Sequence, residues 1–457
     1  MLQMLFDIAV LIVSLALIFH GGATLYLMLY TWWRPERLTA THSPATCDTP
    51  RLRFTALLPA RHEEEVIAET IRRVWNANYP HELLEVVIIC ERGDPATIAE
   101  AQRTIDAIGH PNVRVQVFGD GPINKPHGLN VGLRHSSHEV VAIFDAEDDV
   151  HPAIFQIVNT IMLREGASIV QAGVQLMDFN SRWFAVHNVL EYFFWFRSRL
   201  HFHAGIGMVP LGGNTVFMAR ELVERAGGWD ERCLTEDADI GIRLSVLGER
   251  ITITYDPKHA TREETPPSLA SFVKQRTRWN QGFIQILRKR VWRQFGSPRQ
   301  RLLAAYTLAQ PFIQGVVALL WPVSVAMIFM VKLPVPLAML TVVPLYGLAL
   351  QFIVNLAGLL DFAHAYDQRL RLKDVAIFTI GFLPYQMVLG LSAARAVYRE
   401  LRGVSNWEKT EHIGAHRVRM VASGPQQQHV ASRASFVAAS DRSLALEGVQ
   451  EDTVDAA

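Results

Sequence analysis

Long apolar segments near both ends of the chain constrain its fold more than any other feature of the sequence. One segment covers residues 5–29, and three more cover approximately 303–331, 335–360 and 375–397. An α-helix rises about 1.5 Å per residue, so each segment is long enough to cross a hydrocarbon core roughly 30 Å thick. Because the residues between the first and second segments are mixed in polarity, the sequence predicts a chain that lies partly in a bilayer and partly in water.

The first segment predicts a retained membrane helix, which we assign to residues 1–33. A cleaved signal peptide is the alternative, but no basic region precedes the apolar stretch, and the stretch is longer than such a peptide needs. Trp32 and Trp33 follow the apolar stretch and precede Arg34 and Arg37, which is the order of an aromatic belt and a cytoplasmic flank. We therefore expect the next part of the chain to lie in the cytoplasm.

Residues 51–267 predict a layered α/β domain of the nucleotide-binding type, because short apolar runs alternate there with helical patterns. The predicted strands are Arg53–Pro59, Glu85–Cys90, Val113–Phe118 and Val140–Phe144, and the predicted helices are Glu63–Asn76, Pro95–Ile108 and Pro126–Arg134. Ligands of such sheets bind at the carboxyl ends of the strands. We therefore expect the residues after Pro59, Cys90 and Phe144 to meet in one crevice.

The last third of the chain predicts membrane-associated helices. Residues 268–301 combine arginines and lysines with apolar side chains, which predicts one amphipathic helix on the anionic cytoplasmic face of the membrane. Residues 302–398 predict a transmembrane region whose number of crossings stays open: one segment is re-entrant or interfacial, or the first, which contains Pro311 and Pro322, is a hairpin. Residues 417–457 lack apolar periodicity and predict a disordered tail.

The charge balance and the cysteines narrow the possible classes of protein. Basic and acidic residues each number 44, so the formal net charge is zero and we expect no nucleic-acid partner. Cys47, Cys90 and Cys233 show neither zinc-ligand pairing nor a disulfide framework, which fits a domain that faces a reducing cytoplasm. Any nucleotide must therefore be bound by a local site.

Four carboxylates follow the predicted strand that ends at Phe144: Asp145, Glu147, Asp148 and Asp149. Like charges this close together are costly unless a cation is bound, so a divalent metal is the expected partner. Asp145 and Glu147 alternate along an extended chain and can point the same way, toward a metal shared with a diphosphate. A solvated acidic loop is the alternative.

Two further residues lie where a nucleotide can bind. Lys125 precedes a predicted helix, where its charge and free backbone amides can both meet a phosphate. Glu91 directly follows a predicted strand and can accept hydrogen bonds from a base or ribose. Neither residue is specific alone, since a lone lysine is usually a surface residue.

Two motifs in the second half of the domain offer candidate catalytic groups. Thr-Glu-Asp at 235–237 stands at a helix start, where capping is the simple explanation and removal of a proton from an acceptor hydroxyl by Asp237 is the functional one. Gln275, Arg278 and Trp279 share one helix face because they are spaced i, i+3 and i+4. Such a face suits stacking on a sugar and holding a diphosphate, and a basic membrane-facing helix is the alternative.

Taken in this order, the carboxylate cluster, the Thr-Glu-Asp triplet and the Gln-x-x-Arg-Trp motif resemble the family 2 glycosyltransferases. The resemblance covers about residues 52–285 and is strongest to the membrane-integrated branch with cellulose, chitin and hyaluronan synthases. It implies a GT-A fold, an α/β Rossmann-like nucleotide-binding domain. The site residues that it implies are nucleotide-sugar contacts at Ala60, Glu63, Glu91, Lys125 and Asp145; Mg²⁺ or Mn²⁺ at Asp145 and Glu147; acceptor or diphosphate contacts at Gly213, Asn214, Glu236, Gln275, Arg278 and Trp279; and Asp237 as the general base of an inverting transfer.

The sequence departs from the usual pattern of this family in two places. Asp145-Ala-Glu147 replaces the common Asp-x-Asp, so the resemblance leaves open which carboxylate holds the metal. Glu91 followed by Arg92 replaces the common acidic pair and implies uridine as the base of the donor.

Residues 399–416 resemble the gating segment that covers the nucleotide in polymer synthases. The matching residues are Trp407, Lys409 and Thr410. If this resemblance holds, the segment must lie in the cytoplasm, and the region before it crosses the membrane an even number of times.

The resemblance implies a polysaccharide synthase that extends a β-linked glycan from a nucleotide-sugar and moves it across the membrane. Transfer of a single sugar to a lipid acceptor is the first alternative, and a transporter or scaffold without catalysis is the second, from another class. The frequent Ala, Arg and Val residues are typical of a GC-rich bacterial gene. We therefore expect a multi-pass protein of the bacterial inner membrane with its catalytic domain in the cytoplasm.

Overall fold

The structure of the chain is a computed structural model that describes residues 2–330, 333–406 and 408. Its α-helices are α1 (Leu2–Trp33), α2 (Pro35–Thr39), α3 (Ile67–Trp75), α4 (Pro95–Ile108), α5 (Lys125–His135), α6 (Ile154–Glu165), α7 (Ala185–Phe194), α8 (Leu200–Ile206), α9 (Arg220–Arg225), α10 (Glu236–Val246), α11 (Leu269–Lys289), α12 (Pro298–Leu308), α13 (Gln310–Met330), α14 (Val335–Ala365) and α15 (Leu372–Leu401). Its strands are β1 (Phe54–Ala60), β2 (Leu84–Glu91), β3 (Val113–Phe118), β4 (Val140–Ile143), β5 (Ile169–Ala172), β6 (Val174–Leu176), β7 (Val216–Ala219), β8 (Ile251–Thr254) and β9 (Thr261–Glu263). Short 3-10 turns cover His81–Leu83 and Val291–Gln294, and a π-helical turn covers Trp195–Arg199.

A seven-stranded sheet in the order β3-β2-β1-β4-β7-β5-β8 forms the centre of the α/β domain. β7 runs antiparallel to both of its neighbours, and the other pairs are parallel. The four predicted strands lie within one residue of the observed β1 to β4. β1, β2 and β4 are buried almost throughout, which explains their near-continuous apolar sequences, because helices cover both faces of such a sheet.

Side-chain caps determine where α4 and α5 begin. The side chain of Asp94 accepts a hydrogen bond from the amide of Thr97 at the start of α4. Asn124 caps α5 in the same way, so Lys125 becomes the first residue of that helix. The predicted helix Glu63–Asn76 begins later than expected, at Ile67. The amide of Glu63 donates to Thr97 Oγ1, and residues 64–66 form a turn before the helix.

The predicted single amphipathic helix over residues 268–301 is wrong, because two helices and a 3-10 turn occupy this range. α11 ends where Arg290 adopts a left-handed conformation with φ of 61°. Ser297 and Gln300 then form a capping box that starts α12. The basic residues of the segment are therefore divided between two helix directions.

Three helices in the described part of the chain are long and apolar enough to cross a membrane: Met4–Trp33, Val335–Ala365 and Leu372–Leu401. The bent pair Pro298–Leu308 and Gln310–Leu320, with 52° between its halves, is long enough to be a fourth. The hairpin alternative is wrong, since a hairpin would reverse the chain direction and α13 continues through Pro322.

Two elements of the α/β domain attach it to these candidate spans. α7 buries Phe193 and Phe194 in an apolar cluster with Met28 of α1, Phe362 of α14 and Phe378 of α15. α11 packs along α15, which in turn packs along α13. The α/β domain is thereby connected to candidate spans on both sides of it in the sequence, through the helices that border its crevice.

Candidate functional site

A crevice of about 220 Å³ opens at the carboxyl ends of β1, β2 and β4. Parallel strands present these ends at one edge of a sheet, as the sequence predicted for the residues after Pro59, Cys90 and Phe144. The structure brings together in its lining all the site residues predicted before position 280: Ala60, Glu63, Glu91, Lys125, Asp145, Glu147, Gly213, Asn214, Glu236, Asp237, Gln275, Arg278 and Trp279.

The four carboxylates after β4 divide into two groups. Asp145 and Glu147 line the crevice. Asp148 is fully buried, and it accepts hydrogen bonds from Asn214 Nδ2 at 2.8 Å and from the amide of Asp145 at 2.9 Å. Burial, together with the charge of a nearby glutamate, raises its pKa well above the usual range. Asp149 forms an ion pair outside the crevice with an arginine of α3, so two carboxylates of the four face the ligand space.

Lys125 lies between Asp145 and Gly213 in the crevice. Its ammonium contacts the carboxylate of Asp145 and lies 3.0 Å from the carbonyl oxygen of Gly213. Burial opposes this positive charge, but Asp145 and Glu236 outweigh the effect and raise the pKa of Lys125. The crevice therefore keeps a fixed cation next to its carboxylates.

The Thr-Glu-Asp triplet forms the turn that starts α10. Asp237 Oδ1 accepts the amide of Ala238 at 2.8 Å, and a Cβ placed on Gly213 would lie 3.0 Å from Asp237 Oδ2. Burial raises the pKa of Asp237, and burial with the adjacent Asp237 charge raises the pKa of Glu236 to about 8. One oxygen of Asp237 thus bonds a backbone amide in the first turn of α10 while the carboxylate borders the crevice, so a local structural role and a chemical role are compatible.

The Gln-x-x-Arg-Trp face of α11 closes the other side of the crevice. Gln275, Arg278 and Trp279 all line it, as their spacing predicted. α11 can come this close because Gly282 has no side chain: a Cβ there would lie 2.2 Å from Thr235 Oγ1. Burial lowers the pKa of Arg278, and the carboxylates of the triplet oppose that shift.

Tyr192, Glu263 and Glu264 also line the crevice, and the sequence did not identify them as site residues. Tyr192 belongs to α7, and its ring centre lies 6.3 Å from that of Trp279. Glu263 ends β9, and its carboxylate accepts a hydrogen bond from Asn214. β9 reaches the crevice by pairing with β6, which is a non-local contact between strands of three residues each. The two adjacent glutamates before Thr265 were the available signal, but nothing in their spacing separated them from a surface loop.

The donor set suits a metal that is shared with a ligand. Among the described residues, no group of three or more His, Cys, Asp or Glu side chains is arranged to hold a metal ion. Asp145 and Glu147 offer two carboxylates at the crevice, and Mg²⁺ typically binds through one or two carboxylates together with substrate phosphates and water. These residues therefore fit a divalent ion that arrives with a diphosphate.

The predicted gating residues Trp407, Lys409 and Thr410 lie outside the residues that the structure describes, as does the predicted tail 417–457. Glu408 is described: its carboxylate pairs with Arg395 at 2.8 Å and with Arg399 at 3.3 Å. The hydrogen bond with Arg395 lowers the pKa of Glu408, and this effect outweighs burial, which acts to raise it. This pairing ties residue 408 to the end of α15.

Comparison with known proteins gives a family match and distant relatives. A family model described as "Glycosyltransferase like family 2" matches residues 50–282. The chain is 29% identical over 234 residues to the beta-monoglucosyldiacylglycerol synthase of Trichormus variabilis, covering 50% of this chain and 48% of that protein. It is 22% identical over 400 residues to the probable glucomannan 4-beta-mannosyltransferase 7 of Oryza sativa subsp. japonica, covering 84% of this chain and 66% of that protein.

Among solved structures, the mannosyltransferase PcManGT from Pyrobaculum calidifontis, in complex with GDP-Man and Mn²⁺, is 20% identical, with a TM-score of 0.49. The match covers 86% of this chain and 98% of that one. The chain spans between 48% and 60% of the length of four of the curated relatives that it matches.

Proposed function

This chain belongs to the glycosyltransferase like family 2 and has a GT-A fold, and we propose that it transfers a hexose from a nucleoside diphosphate sugar to a membrane-held acceptor with inversion at the anomeric carbon. The observation that carries the proposal is the convergence of Asp145, Asp237 and Arg278 in one crevice although they are far apart in the sequence.

The donor occupies the half of the crevice at the ends of β1 and β2. Ala60, Glu63 and Glu91 border the nucleoside, with uridine as the proposed base, and Asp145 and Lys125 border the diphosphate. Asp145 and Glu147 would hold Mg²⁺ or Mn²⁺, which when bound would neutralise charge on the diphosphate. Asp148 is less suited to this role, because its two oxygens already accept hydrogen bonds from Asn214 and from the backbone and it does not line the crevice.

The acceptor occupies the half near α10 and α11. Asp237 removes the proton of the acceptor hydroxyl, whose oxygen attacks the anomeric carbon while the bond to the diphosphate breaks. Its raised pKa makes it a stronger base than an exposed aspartate. The cations of Arg278 and Lys125 stabilise the negative charge that develops on the departing diphosphate.

We propose a growing β-linked glycan as the acceptor. Trp279 and Tyr192 place two aromatic rings on the acceptor side of the crevice, and sugars bind well to such apolar faces. Gly213 and Asn214 line the same side. The relative described as a glucomannan mannosyltransferase supports this acceptor, and the relative described as a monoglucosyldiacylglycerol synthase supports the second candidate, a lipid that receives one sugar.

The candidate spans support a reaction that takes place at a membrane. We propose a bacterial inner-membrane protein whose crevice faces the cytoplasm, because Trp32, Trp33 and the arginines after them mark that end of α1 as cytoplasmic. Transfer coupled to movement of the glycan across the membrane belongs to the same proposal.

Nucleoside diphosphate release tests the function. The full chain, purified in nanodiscs, is supplied with UDP- and GDP-sugars and with Mg²⁺ or Mn²⁺, and any labelled product is sized. Long polymer from one donor supports the glycan acceptor, whereas a product of one sugar on lipid supports the second candidate. Silence with every donor and both metals contradicts the assignment of catalysis to this chain.

A further inference from the structure

A second cavity, of about 510 Å³, lies among the candidate membrane spans. Residues of α1, α13, α14 and α15 line it, and α7 and the π-helical turn contribute further side chains. No described residue lines both this cavity and the crevice. It is therefore a second site, and its ligand need not take part in the transfer reaction.

The charges in the wall of this cavity do not cancel. Among the described residues that line it, Glu191 and Arg199 are the acidic and basic side chains other than histidine. Glu191 is already bonded, since Arg276 Nη2 lies 2.5 Å from its Oε2 and Tyr385 Oη donates to the same oxygen at 2.6 Å. The carboxylate of Glu191 is thus paired with Arg276, and no second carboxylate in the described lining balances the positive charge of Arg199.

Arg199 carries that remaining charge. In the part of the chain that the structure describes, its Nε is shielded from solvent and has no hydrogen-bond partner. A guanidinium in a low-dielectric wall is unfavourable without a counter-ion, and its planar set of donors matches the oxygens of a phosphate. Arg199 is therefore a suitable partner for an anion that enters this cavity.

Side-chain amides surround the same space. Gln310, Gln314, Gln351 and Gln386 line the cavity; the first three are partly buried and Gln386 is exposed. Amides in an apolar surrounding require partners, and ester or hydroxyl oxygens of a head group can supply them. The donors and acceptors thus suit a polar head rather than hydrocarbon.

The mouth of the cavity is apolar and open. Val343, Tyr346 and Leu350 of α14 and Leu383 and Met387 of α15 line it, yet they remain between 37% and 72% exposed. On helices that pass through a bilayer, such surfaces contact acyl chains. A molecule with its head inside this cavity can therefore leave its tails in the membrane.

The depth of Arg199 also fits a lipid head group. Ser198 Oγ donates to the carbonyl oxygen of Leu27 at 2.8 Å, and Thr31 Oγ1 donates to that of Arg197 at 3.0 Å. The π-helical turn is therefore fixed to the end of α1 that carries Trp32 and Trp33, and such aromatic residues mark the level of the head groups.

We propose that this cavity binds an anionic lipid, with its phosphate on Arg199, its polar head among the glutamine amides, and its acyl chains passing out between α14 and α15. The size of the cavity is in the range that encloses a head group, about 300–1,000 Å³ for small-molecule sites.

Native mass spectrometry and thermal unfolding of the detergent-purified full chain test this site. Phosphatidylglycerol and phosphatidylcholine with identical chains are compared, with inorganic phosphate as the probe for an anion without tails. We expect retention of phosphatidylglycerol and a higher Tm with it than with phosphatidylcholine. Arg199→Gln should weaken phosphatidylglycerol binding by about tenfold or more, because a charge-assisted contact is lost. Arg301→Gln, an exposed arginine of α12 outside the cavity, is the matched control and should bind as the unaltered chain does.

Equal retention of the two lipids by the unaltered chain overturns the proposal, and this comparison needs no variant to fold. Unchanged binding in Arg199→Gln, or equal losses in both arginine variants, also overturns it. If inorganic phosphate raises the Tm as much as phosphatidylglycerol does, the site binds a soluble anion, and the proposal of a lipid ligand is overturned.

Discussion

Replacing Asp237 with asparagine keeps the size of this side chain but removes its ability to accept a proton. The hydrogen bond from the amide of Ala238 to Oδ1, 2.8 Å long, can be retained by the asparagine oxygen, so α10 should keep its start. Since burial raises the pKa of Asp237, the aspartate is a comparatively strong base. The loss of rate on its removal should therefore lie in the upper part of the range for general-base catalysis. We expect the turnover rate to fall by about 10³–10⁴, or about 4–5.5 kcal/mol.

The assay is release of nucleoside diphosphate by the nanodisc-held chain over a range of pH. In the unaltered chain, the rate should fall as the pH falls through the raised pKa of Asp237, because only the ionised carboxylate accepts the proton. This acidic limb should be absent from Asp237→Asn. Donor affinity should change little, because the base acts on the acceptor.

Asp230→Asn is the matched control. Asp230 pairs with Lys289 at 2.5 Å and does not line the crevice, so its variant should keep the rate within about threefold. The reasoning is refuted if Asp237→Asn keeps more than about a tenth of the rate, or keeps the acidic limb, while its Tm and donor affinity are unaltered.

Three further perturbations have defined outcomes. Chelation should abolish transfer, and added Mg²⁺ or Mn²⁺ should restore it in the unaltered chain but not in Asp145→Asn, as nucleoside diphosphate release would report. Gly282→Ala should lower the Tm, at a cost of about 1–3 kcal/mol in stability, because its Cβ would lie 2.2 Å from Thr235 Oγ1. Gly347→Ala is the control and should not lower the Tm, because no atom lies within 4 Å of its Cβ. Equal Tm values for the two variants would contradict the packing argument. Arg276→Met should lower the free energy of unfolding by about 1–3 kcal/mol by leaving its carboxylate partner unpaired, which denaturation would measure, and an unchanged midpoint would show that this ion pair does not stabilise the fold.

Much of the domain could be predicted from local sequence. β1 to β4 were found within one residue, and α4 at its observed bounds, because apolar runs, prolines and caps are local signals. The crevice was predicted for a topological reason: parallel strands place their carboxyl ends together. The family match over residues 50–282 agrees with the motifs that suggested it.

Other features required the tertiary structure. The four carboxylates after β4 look equivalent along the chain, and only the position of Asn214, brought in by β7, separates the buried Asp148 from Asp145 and Glu147. Glu263 reaches the crevice through the pairing of two very short strands. Neither outcome is encoded in spacing, since both depend on residues far apart in the sequence.

The sequence by itself determined which segments are apolar enough for a membrane, where the sheet begins, and which chemical groups the site contains, because periodicity, capping and motif order are properties of neighbouring residues. Only the tertiary structure decided which carboxylates line the crevice and where α11 ends. It also decided that Arg199 lies in the wall of a cavity whose carboxylate, Glu191, is paired with Arg276. These depend on burial and on long-range packing, which assign different environments to residues of the same type.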